Sequence, residues 1–394
     1  MGKRKIVQEA NPTSNTIIAA YSSTHINYFT RRYAMPGKAY FHKHDEAFKQ
    51  LLDPDSSIKL LLEVEEYPFA HEAGVFFADT DDLFITSNRI STRTDGPYVQ
   101  ISRVNFGEKP FVEELKGPSL DIPMGNGGIN YNDGVLFCSQ GSMTTPSGLY
   151  WMSRSPPYQS HCLISDFYGR QFNSLNDVVV HSDGSIWFTD PIYGYEQGYR
   201  AKPELPCQVY RFDPSNKSIR AMADGFGRPN GISFSPGEKV IYITDTDWIH
   251  GDGTTDGMRP SSIYAFDITY HSGQPFMTNR RLFAMAADGI PDGIKCDMDG
   301  NVYSGCGDGI NVWSPGGVLL GIVKIDGGAA NFCFAVEVSS GSFAENLIGI
   351  GCYSPKTTLC SAYGQQYDLS STIDNCHPKD GLFSATTQVR DTSS

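Results

Sequence analysis

Acidic and amide side chains recur along the chain in one local setting, and their chemistry gives the first indication of function. Each of six segments begins with such a residue, continues into a short apolar strand, turns, and ends in a second apolar strand. The six residues are Glu72, Asn126, Asn176, Asn230, Asp292 and Asn331. Carboxylate and amide oxygens are the ligands that hard divalent cations prefer in proteins. The six positions therefore predict a cation site, provided that the fold brings them together.

The composition of this set favours Ca²⁺ over other divalent cations. Ca²⁺ takes about six to eight oxygen ligands, with water at open positions, whereas high-affinity zinc sites use histidine or cysteine. The set contains neither residue type, although Zn²⁺, Mg²⁺ and Mn²⁺ stay open as alternatives. A structural alternative is that the Asn and Asp residues cap strands in Asx turns. Glu72 favours the cation site, because glutamate makes such turns poorly.

The spacing of the six segments predicts the fold that would bring them together. They recur about every fifty residues, and each contains several short strands, which is typical of β-propeller blades. Six copies predict an all-β, six-bladed β-propeller. The innermost strand of every blade begins at the same end of the central channel. Residues at equivalent positions would therefore meet at the axis, although they are far apart in sequence.

The repeats also define the predicted organisation of the chain. Residues 61–362 are expected to form the propeller, and residues 1–60 an N-terminal extension that caps or wraps it. Helical patterning is nearly absent, and the best short helix is "HDEAFKQLL" at 44–52, inside that extension. Residues 363–394 are expected to form a peripheral, partly disordered tail.

Charge, hydropathy and cysteine content limit the partners and the location of the protein. The formal net charge of −13 argues against nucleic acid, because phosphate contacts need clustered lysine and arginine. No apolar run approaches membrane-spanning length, and "MGKRKIVQEANPTSN" at the start lacks the apolar core of a signal peptide. The nine cysteines are scattered and without metal-finger spacing, which is typical of reduced thiols. We therefore expect a cytoplasmic protein that acts on a small molecule and binds neither nucleic acid nor membrane, while its oligomeric state stays open.

Several of these segments resemble a known family. "NSLNDVVVHSDGSIWFTDPIYGY" and "RPNGISFSPGEKVIYITDTD" resemble the most specific stretches of the senescence-marker-protein/gluconolactonase family. "FAHEAGVFF" and "IPDGIKCDMDGNVY" are similar to its first and fifth blade motifs, and "NGGINYNDGVLFCSQGS" resembles its fungal lactonase branch. The resemblance is closest over residues 69–355. It implies a six-bladed propeller with one central divalent metal that hydrolyses a lactone.

The resemblance also implies which residues would hold the metal. Glu72, Asn230 and Asp292 match the positions of the family's ligands, and Asn176 matches an Asn that contacts metal or substrate. Two segments depart from the family pattern, namely "GGAANFCFAV" in the sixth repeat and the insertion "TDWIHGDGTTDGMRPSS" at 246–262. Both are expected near the channel mouth, so the class of substrate stays open.

Lactone hydrolysis needs a proton acceptor beside the metal, and three aspartates are candidates. Asp292 could accept the proton while it ligates the metal, and Asp177 or Asp190 could do so from behind the ligands. An alternative for Asp190 is that it caps a turn.

Amide and phenol side chains complete the predicted substrate site. Asn126 and Asn176 would donate amide hydrogens to substrate oxygens, and Asn331 and Tyr193 would line the pocket. An alternative for Tyr193 is ordinary packing at the end of a strand.

Two other functions stay open at this stage. Relatives of the fold include non-hydrolytic enzymes of natural-product synthesis, so the chain could catalyse a cyclisation, cycloaddition or condensation while keeping the metal. A propeller that only binds a partner is the third possibility, but it would not need the Glu/Asn/Asn/Asp set.

Overall fold

The computed structural model describes residues 39–52, 56, 58, 62–64, 66–91, 96–107 and 111–339, together with the strands at 5–6, 21–23, 342–350 and 356–368. Side chains are described as far as Ala335. The predicted tail lies outside the described residues beyond Asp368, and the strand Lys356–Asp368 crosses the predicted boundary at residue 362.

Five antiparallel blades follow one another along the described chain, which confirms an all-β propeller arrangement. Each blade is formed by consecutive strands, and the first strands of neighbouring blades contact one another, so they lie innermost. Blade 1 contains Glu72–Phe77, Asp82–Thr86, Ile101–Asn105 and Phe111–Glu114, and blade 2 contains Gly125–Tyr131, Gly134–Ser139, Gly148–Ser153 and Ser160–Ile164. Blade 3 contains Val178–Val180, Ile186–Asp190, Gln208–Asp213 and Ser218–Ala223, and blade 4 contains Pro229–Phe234, Val240–Asp245, Ser262–His271 and Gln274–Met285. Blade 5 contains Ile294–Cys296, Val302–Cys306, Gly309–Trp313 and Leu319–Lys324.

A further antiparallel sheet follows blade 5. It contains Asn331–Ser339, Ser342–Ile350 and Lys356–Asp368, with Tyr21–Ser23 on its outer edge. Its side chains beyond Ala335 lie outside the described residues. Five blades are therefore shown, and the count of six stays a prediction.

Apolar side chains fill the space between neighbouring blades, which is what the alternation of the strands predicts. Between blades 1 and 2, Val75 and Phe84 pack in one cluster with Val135 and Phe137. The strand faces that meet in this way are fully buried. The hydrophobic contacts are thus distributed around the ring, and they fix where each innermost strand begins.

The segment before blade 1 completes the edge of blade 5. Tyr40–Lys43 pairs antiparallel with Leu319–Lys324 as a fifth strand. A 3₁₀ helix follows at Glu46–Leu51, where the carboxylate of Asp45 accepts a hydrogen bond from the N–H of Ala47. The short helix predicted at 44–52 is therefore a 3₁₀ helix, and it covers Glu46–Leu51. Part of the predicted N-terminal extension belongs to the outer layer of a blade.

Short helices and strand pairs connect the blades or flank them in sequence. Helix α1 spans Lys116–Asp121 before blade 2, and helix α2 spans Tyr193–Glu196 after the second strand of blade 3. Two small two-stranded sheets are also present. Lys5–Ile6 pairs with Leu62–Glu63, and Asp166–Phe167 pairs with Arg170–Gln171. Among the described residues, no helix has the length and apolar character needed to cross a bilayer.

Candidate functional site

One cavity of about 220 Å³ opens where the innermost strands begin, and it collects most of the predicted site residues. They come from all five blades, and the predicted residues that line the cavity are Glu72, Asn126, Asn176, Tyr193, Asn230 and Asp292. Each of them is buried or nearly so. The prediction that distant acidic and amide residues meet at the axis therefore agrees with their placement.

The position of each residue in its blade explains this convergence. Glu72 begins the innermost strand of blade 1, and Asn126 and Asn230 are the second residues of theirs. Asn176 and Asp292 lie two residues before the innermost strands of blades 3 and 5. The side chains therefore project from equivalent positions at the same end of the ring.

Glycines follow several of these residues because neighbouring strands approach closely at the axis. A Cβ atom on Gly231 would lie 2.3 Å from the carbonyl oxygen of Asp292, and one on Gly293 would lie 2.4 Å from Cγ of Asn331. Both distances are shorter than any real Cβ contact. The Asn-Gly and Asp-Gly pairs in the sequence thus reflect a steric requirement of the site.

Buried threonine hydroxyls tie blades 1, 3 and 4 to the blade that follows each of them, and the sequence analysis missed them. Thr189 Oγ1 accepts from the N–H of Asp177 at 3.1 Å and donates to the carbonyl of Asn230 at 2.6 Å. Thr244 Oγ1 accepts from the N–H of Gly231 at 2.7 Å and donates to the carbonyl of Asp292 at 3.0 Å. The signal was visible in the sequence as a Thr near the end of the second strands of blades 3 and 4, within "WFTD" and "YITD".

Thr86 makes the corresponding contact in blade 1. Its hydroxyl donates to the carbonyl of Asn126 at 3.1 Å. The backbone of a site residue is therefore held by the preceding blade at three places around the ring.

Glu72 is a strongly perturbed carboxylate of the cavity. Burial raises the pKa of Glu72 well above its usual range, and the nearby charges of Asp292 and Asp177 raise this pKa further. Asn331 donates from Nδ2 to Oε2 of Glu72 at 2.6 Å, which acts in the opposite direction. The fold therefore brings like charges close together in a buried place, which is unfavourable without a compensating positive charge.

Asn331 is not among the residues that line the cavity. Its Oδ1 accepts from the N–H of Phe332 at 2.7 Å, while its Nδ2 bonds Glu72. The predicted direct contact with substrate is therefore not supported by this placement. Asn331 orients Glu72 across the junction between blade 1 and the sheet that follows blade 5.

Asn126 and Asn176, the two amides predicted to contact substrate, differ in which side-chain atom is left without a hydrogen bond. Asn126 Oδ1 accepts from the N–H of Gly127 at 2.9 Å, so the NH₂ group is what this side chain can present to the cavity. Asn176 Oδ1 is buried and, among the described residues, accepts no hydrogen bond. A buried amide oxygen without a partner is unusual, and it indicates a ligand that is a cation or a hydrogen-bond donor.

The donor set fits a hard cation better than a transition metal. Within the described part of the chain, no three His, Cys, Asp or Glu side chains cluster as a metal site. Any ion here would need the amide oxygens of Asn176 and Asn230 beside the carboxylates of Glu72 and Asp292. Mixed amide and carboxylate ligation with open positions is the chemistry of Ca²⁺.

Asp177 and Asp190, two of the three candidate proton acceptors, are occupied by backbone groups. Asp177 Oδ1 accepts from the N–H of Val178 at 2.9 Å, and its Oδ2 from the N–H of Ile232 at 3.2 Å. Burial is the main cause that raises the pKa of Asp177. Asp177 therefore joins blade 3 to blade 4 beneath the cavity.

Asp190 has the same kind of role and does not line the cavity. Its two carboxylate oxygens accept from the N–H groups of Ser174 at 2.8 Å and Asn173 at 3.0 Å. Asp245 in blade 4 makes equivalent bonds to the N–H groups of Arg228 and Gly227. The structure thus supports the alternative that Asp190 caps a turn, and it leaves Asp292 as the one candidate acceptor that faces the cavity.

Tyr193 holds Asn230 in place. Its hydroxyl bonds the hydroxyl of Thr246 and the side chain of Asn230. Burial raises the pKa of Tyr193, so the phenol stays neutral. Because one polar atom of the Asn230 amide bonds the phenol, the other polar atom remains available to the cavity.

The insertion at 246–262 forms one wall of the cavity through Ile249, His250 and Gly251. Its position depends on a buried ion-pair network around Arg228. Arg228 Nε donates to Oε2 of Glu196 at 3.0 Å, and its Nη1 bonds Asp247. The N–H of Gly251 donates to the same Glu196 carboxylate at 2.7 Å. The insertion is therefore attached to helix α2 and to blade 4.

Comparison with known proteins assigns the family. Residues 118–338 match the sequence profile of the SMP-30/Gluconolactonase/LRE-like region. The chain belongs to this family, which confirms the resemblance seen in the sequence.

Named relatives point to lactone chemistry. The lactonohydrolase oryH of Aspergillus oryzae is 32% identical, with 80% of each chain covered. The lactonohydrolase oryL of the same organism is 26% identical over 74% of this chain and 69% of its own length. A solved structure of a gluconolactonase from Xanthomonas campestris superimposes with a TM-score of 0.62 and 25% identity, over 84% of this chain and 99% of that one. A lactonase-like function is thus supported at the level of the family.

Proposed function

We propose that this chain is a divalent-metal-dependent lactonase whose reaction takes place in the central channel of a six-bladed propeller. The observation that carries the proposal is the convergence of Glu72, Asn176, Asn230 and Asp292, from four blades, on one cavity. The buried Oδ1 of Asn176 supports a ligand at this point. The names of the Aspergillus and Xanthomonas relatives support lactone hydrolysis as the reaction.

The proposed metal is Ca²⁺, held by the carboxylates of Glu72 and Asp292 and the amide oxygens of Asn176 and Asn230. When bound, such an ion polarises the lactone carbonyl and stabilises the negative charge that develops on its oxygen. Asn331 keeps the Glu72 carboxylate oriented toward the ring axis, and Tyr193 does the same for Asn230.

The remaining residues supply orientation and proton transfer. Asn126 presents its NH₂ group to the cavity and would donate to a ring or carbonyl oxygen of the lactone. Asp292 is the proposed acceptor of the proton from the attacking water, because Asp177 and Asp190 are bonded to backbone N–H groups. The insertion places Ile249 in the wall of the cavity, where an apolar side chain would limit the access of bulk water.

The proposal can be tested by assaying the purified protein against a panel of lactones and by measuring its metal content. We expect the purified protein to contain about one divalent ion per chain and to hydrolyse at least one lactone, with the rate lost in chelator and restored by Ca²⁺. Asp292→Asn should lower kcat by at least about 10²-fold, since it removes both a ligand charge and the proton acceptor. Asp299→Asn is the matched control, because Asp299 is exposed on the same blade.

The outcomes separate the competing functions. Full lactonase activity in metal-stripped protein, or in the Asp292→Asn variant, would contradict the proposed mechanism. Protein that binds the ion but opens no lactone in the panel would favour the non-hydrolytic alternative.

A further inference from the structure

Arg89 is a cation in the wall of the cavity that the proposed reaction does not use. It is half-buried and lines the cavity with Gln197 and His250. Its Nη1 donates to the backbone carbonyl of Gln197 at 3.0 Å, which is a neutral acceptor. The arginine ion pairs that the described residues form involve Arg103, Arg154, Arg211, Arg228, Arg259 and Arg281, not Arg89.

The backbone on both sides of Arg89 is fixed. The N–H of Arg89 donates to Oδ1 of Asn88 at 2.6 Å, and the N–H of Asn88 donates to the carbonyl of Pro68 at 2.9 Å. Ile90 and Tyr98 exchange two backbone hydrogen bonds, of 2.8 and 3.0 Å. The guanidinium is thus held between blade 1 and the end of helix α2, and it need not be ordered by a ligand.

The charges that line the cavity do not cancel. Its carboxylates are Glu72 and Asp292, and its permanent cation is Arg89. Asp177 and Lys295 do not line the cavity, and their opposite charges act on the pKa of Glu72 in opposite directions. A divalent ion between the two carboxylates, as in the proposed function, would balance them and leave the charge of Arg89 uncompensated. A partly buried charge is costly unless it is paired, so the cavity in this state favours a ligand with one negative charge.

We propose that the substrate is a lactone that carries a carboxylate, and that Arg89 binds this carboxylate while the ester group lies at Asp292. The inference rests on the proposed lactonase function. A carboxylate fits better than a phosphate, because a single uncompensated charge matches a monoanion. The planar guanidinium can bind both carboxylate oxygens at once, which gives selectivity for this group.

Two lactones of the same shape test the inference. 5-Oxotetrahydrofuran-2-carboxylate carries the negative charge, and its carboxamide is the neutral counterpart. We expect the wild-type protein to prefer the carboxylate, and Arg89→Met to raise KM for it by about tenfold or more, as expected for a lost charged hydrogen bond. KM for the carboxamide should change by less than about twofold. Arg89→Lys should restore part of the preference, because it keeps the charge but not the planar fork.

A binding measurement separates this inference from the lactonase proposal. Cyclopentanecarboxylate has the ring and the charge but no ester, and its affinity can be measured by calorimetry with and without Ca²⁺. We expect Arg89→Met to weaken its binding to the Ca²⁺-loaded protein by about tenfold or more and to leave cyclopentanecarboxamide unchanged. This result would stand even if no lactone were hydrolysed, in which case the lactonase proposal alone would fail.

Three outcomes would overturn the inference. Equal binding of cyclopentanecarboxylate by the wild-type protein and Arg89→Met would show that Arg89 recognises no carboxylate. An equal loss for the acid and the amide would assign Arg89 a structural role, and circular dichroism of Arg89→Met and Arg89→Lys would check the fold. Tighter binding of inorganic phosphate than of cyclopentanecarboxylate would reassign the site to phosphorylated ligands.

Discussion

The asparagines at the axis differ in which side-chain atom remains available, and this decides what each can do. Asn126 uses its oxygen on a neighbouring N–H and presents a donor, whereas the oxygen of Asn176 is buried and accepts no hydrogen bond from the described residues. Asn331 uses both polar atoms within the protein. One residue type therefore serves as a proposed donor to substrate, a proposed metal ligand and a positioning group.

Asp190→Asn should destabilise the fold. Both oxygens of Asp190 accept backbone N–H groups, and an amide would turn its NH₂ toward one of these donors. We expect the free energy of unfolding to fall by about 1–3 kcal/mol, measured by urea denaturation above the raised pKa of Asp190, where the carboxylate is ionised and accepts both bonds. Asp245→Asn, at the equivalent position of blade 4, should have a similar effect. An unchanged stability of both variants would contradict the capping role.

Asp190 should also make stability depend on pH. Burial raises the pKa of Asp190 to about 7, against a usual value of 3.8. The folded state then binds a proton that the unfolded state releases between these values. The stabilisation is therefore complete below about pH 4 and is lost as the pH rises through 7. Between pH 5 and 8, the free energy of unfolding should fall less with rising pH for Asp190→Asn than for the wild-type protein. An equal dependence on pH in the two proteins would disprove this assignment.

At the scale of elements, threonine hydroxyls couple blades 1, 3 and 4 to the blade that follows each of them. Thr244→Val keeps the shape of the side chain but removes two hydrogen bonds. The N–H of Gly231 loses its acceptor, and the carbonyl of Asp292 loses one donor. We expect a loss of about 1–3 kcal/mol in the free energy of unfolding and a severalfold weaker affinity for Ca²⁺, measured by calorimetry. Thr244→Ser should restore both quantities. Thr269→Val, in the outer hairpin of the same blade, is the control and should leave Ca²⁺ binding unchanged.

The Arg228 network should hold the insertion wall against the cavity. Arg228→Met leaves the partly buried Glu196 without its main partner and leaves Asp247 with only the exposed Arg259, at 3.6 Å. We expect a loss of about 3–5 kcal/mol in the free energy of unfolding and faster cleavage by thermolysin before Met258, which is exposed in the insertion. Arg281→Met removes an exposed ion pair with Asp267 and should cost less than about 1 kcal/mol. Equal effects of the two substitutions would argue against a special role for Arg228.

At the scale of the molecule, contacts between distant parts of the chain close the ring. Asn331 and Glu72 join its beginning to its end, and the strand Tyr40–Lys43 covers the outer edge of blade 5. Tyr40–Lys43 is then the edge strand, and because it has only four residues and ends in a lysine it offers little to pair with another copy.

Phe48 anchors that edge. It is buried against Val312 and Leu320 from the 3₁₀ helix Glu46–Leu51. Phe48→Ala should lower the free energy of unfolding by about 3–5 kcal/mol, measured by urea denaturation, because it leaves a cavity in the packing. The matched control Leu51→Ala should cost less, since Leu51 is only partly buried. A loss below about 1 kcal/mol for Phe48→Ala would show that the N-terminal segment does not contribute to blade 5.

The sequence determined the repeat, the propeller class and the five polar residues that meet at the cavity, namely Glu72, Asn126, Asn176, Asn230 and Asp292. These features depend on local patterns, since a strand period and a turn are set by neighbouring residues. The family motifs added lactone hydrolysis as the expected reaction.

Only the tertiary structure decided the role of each polar side chain. Whether an aspartate faces a cavity or caps a turn depends on backbone N–H groups that arrive from other segments, as Asp190 and Asp177 show. Arg89 and the threonine hydroxyls acquire their importance in the same way, from partners in other blades. Residue type and spacing specify which groups reach the axis, but hydrogen bonds between blades specify which of their atoms remain available for chemistry.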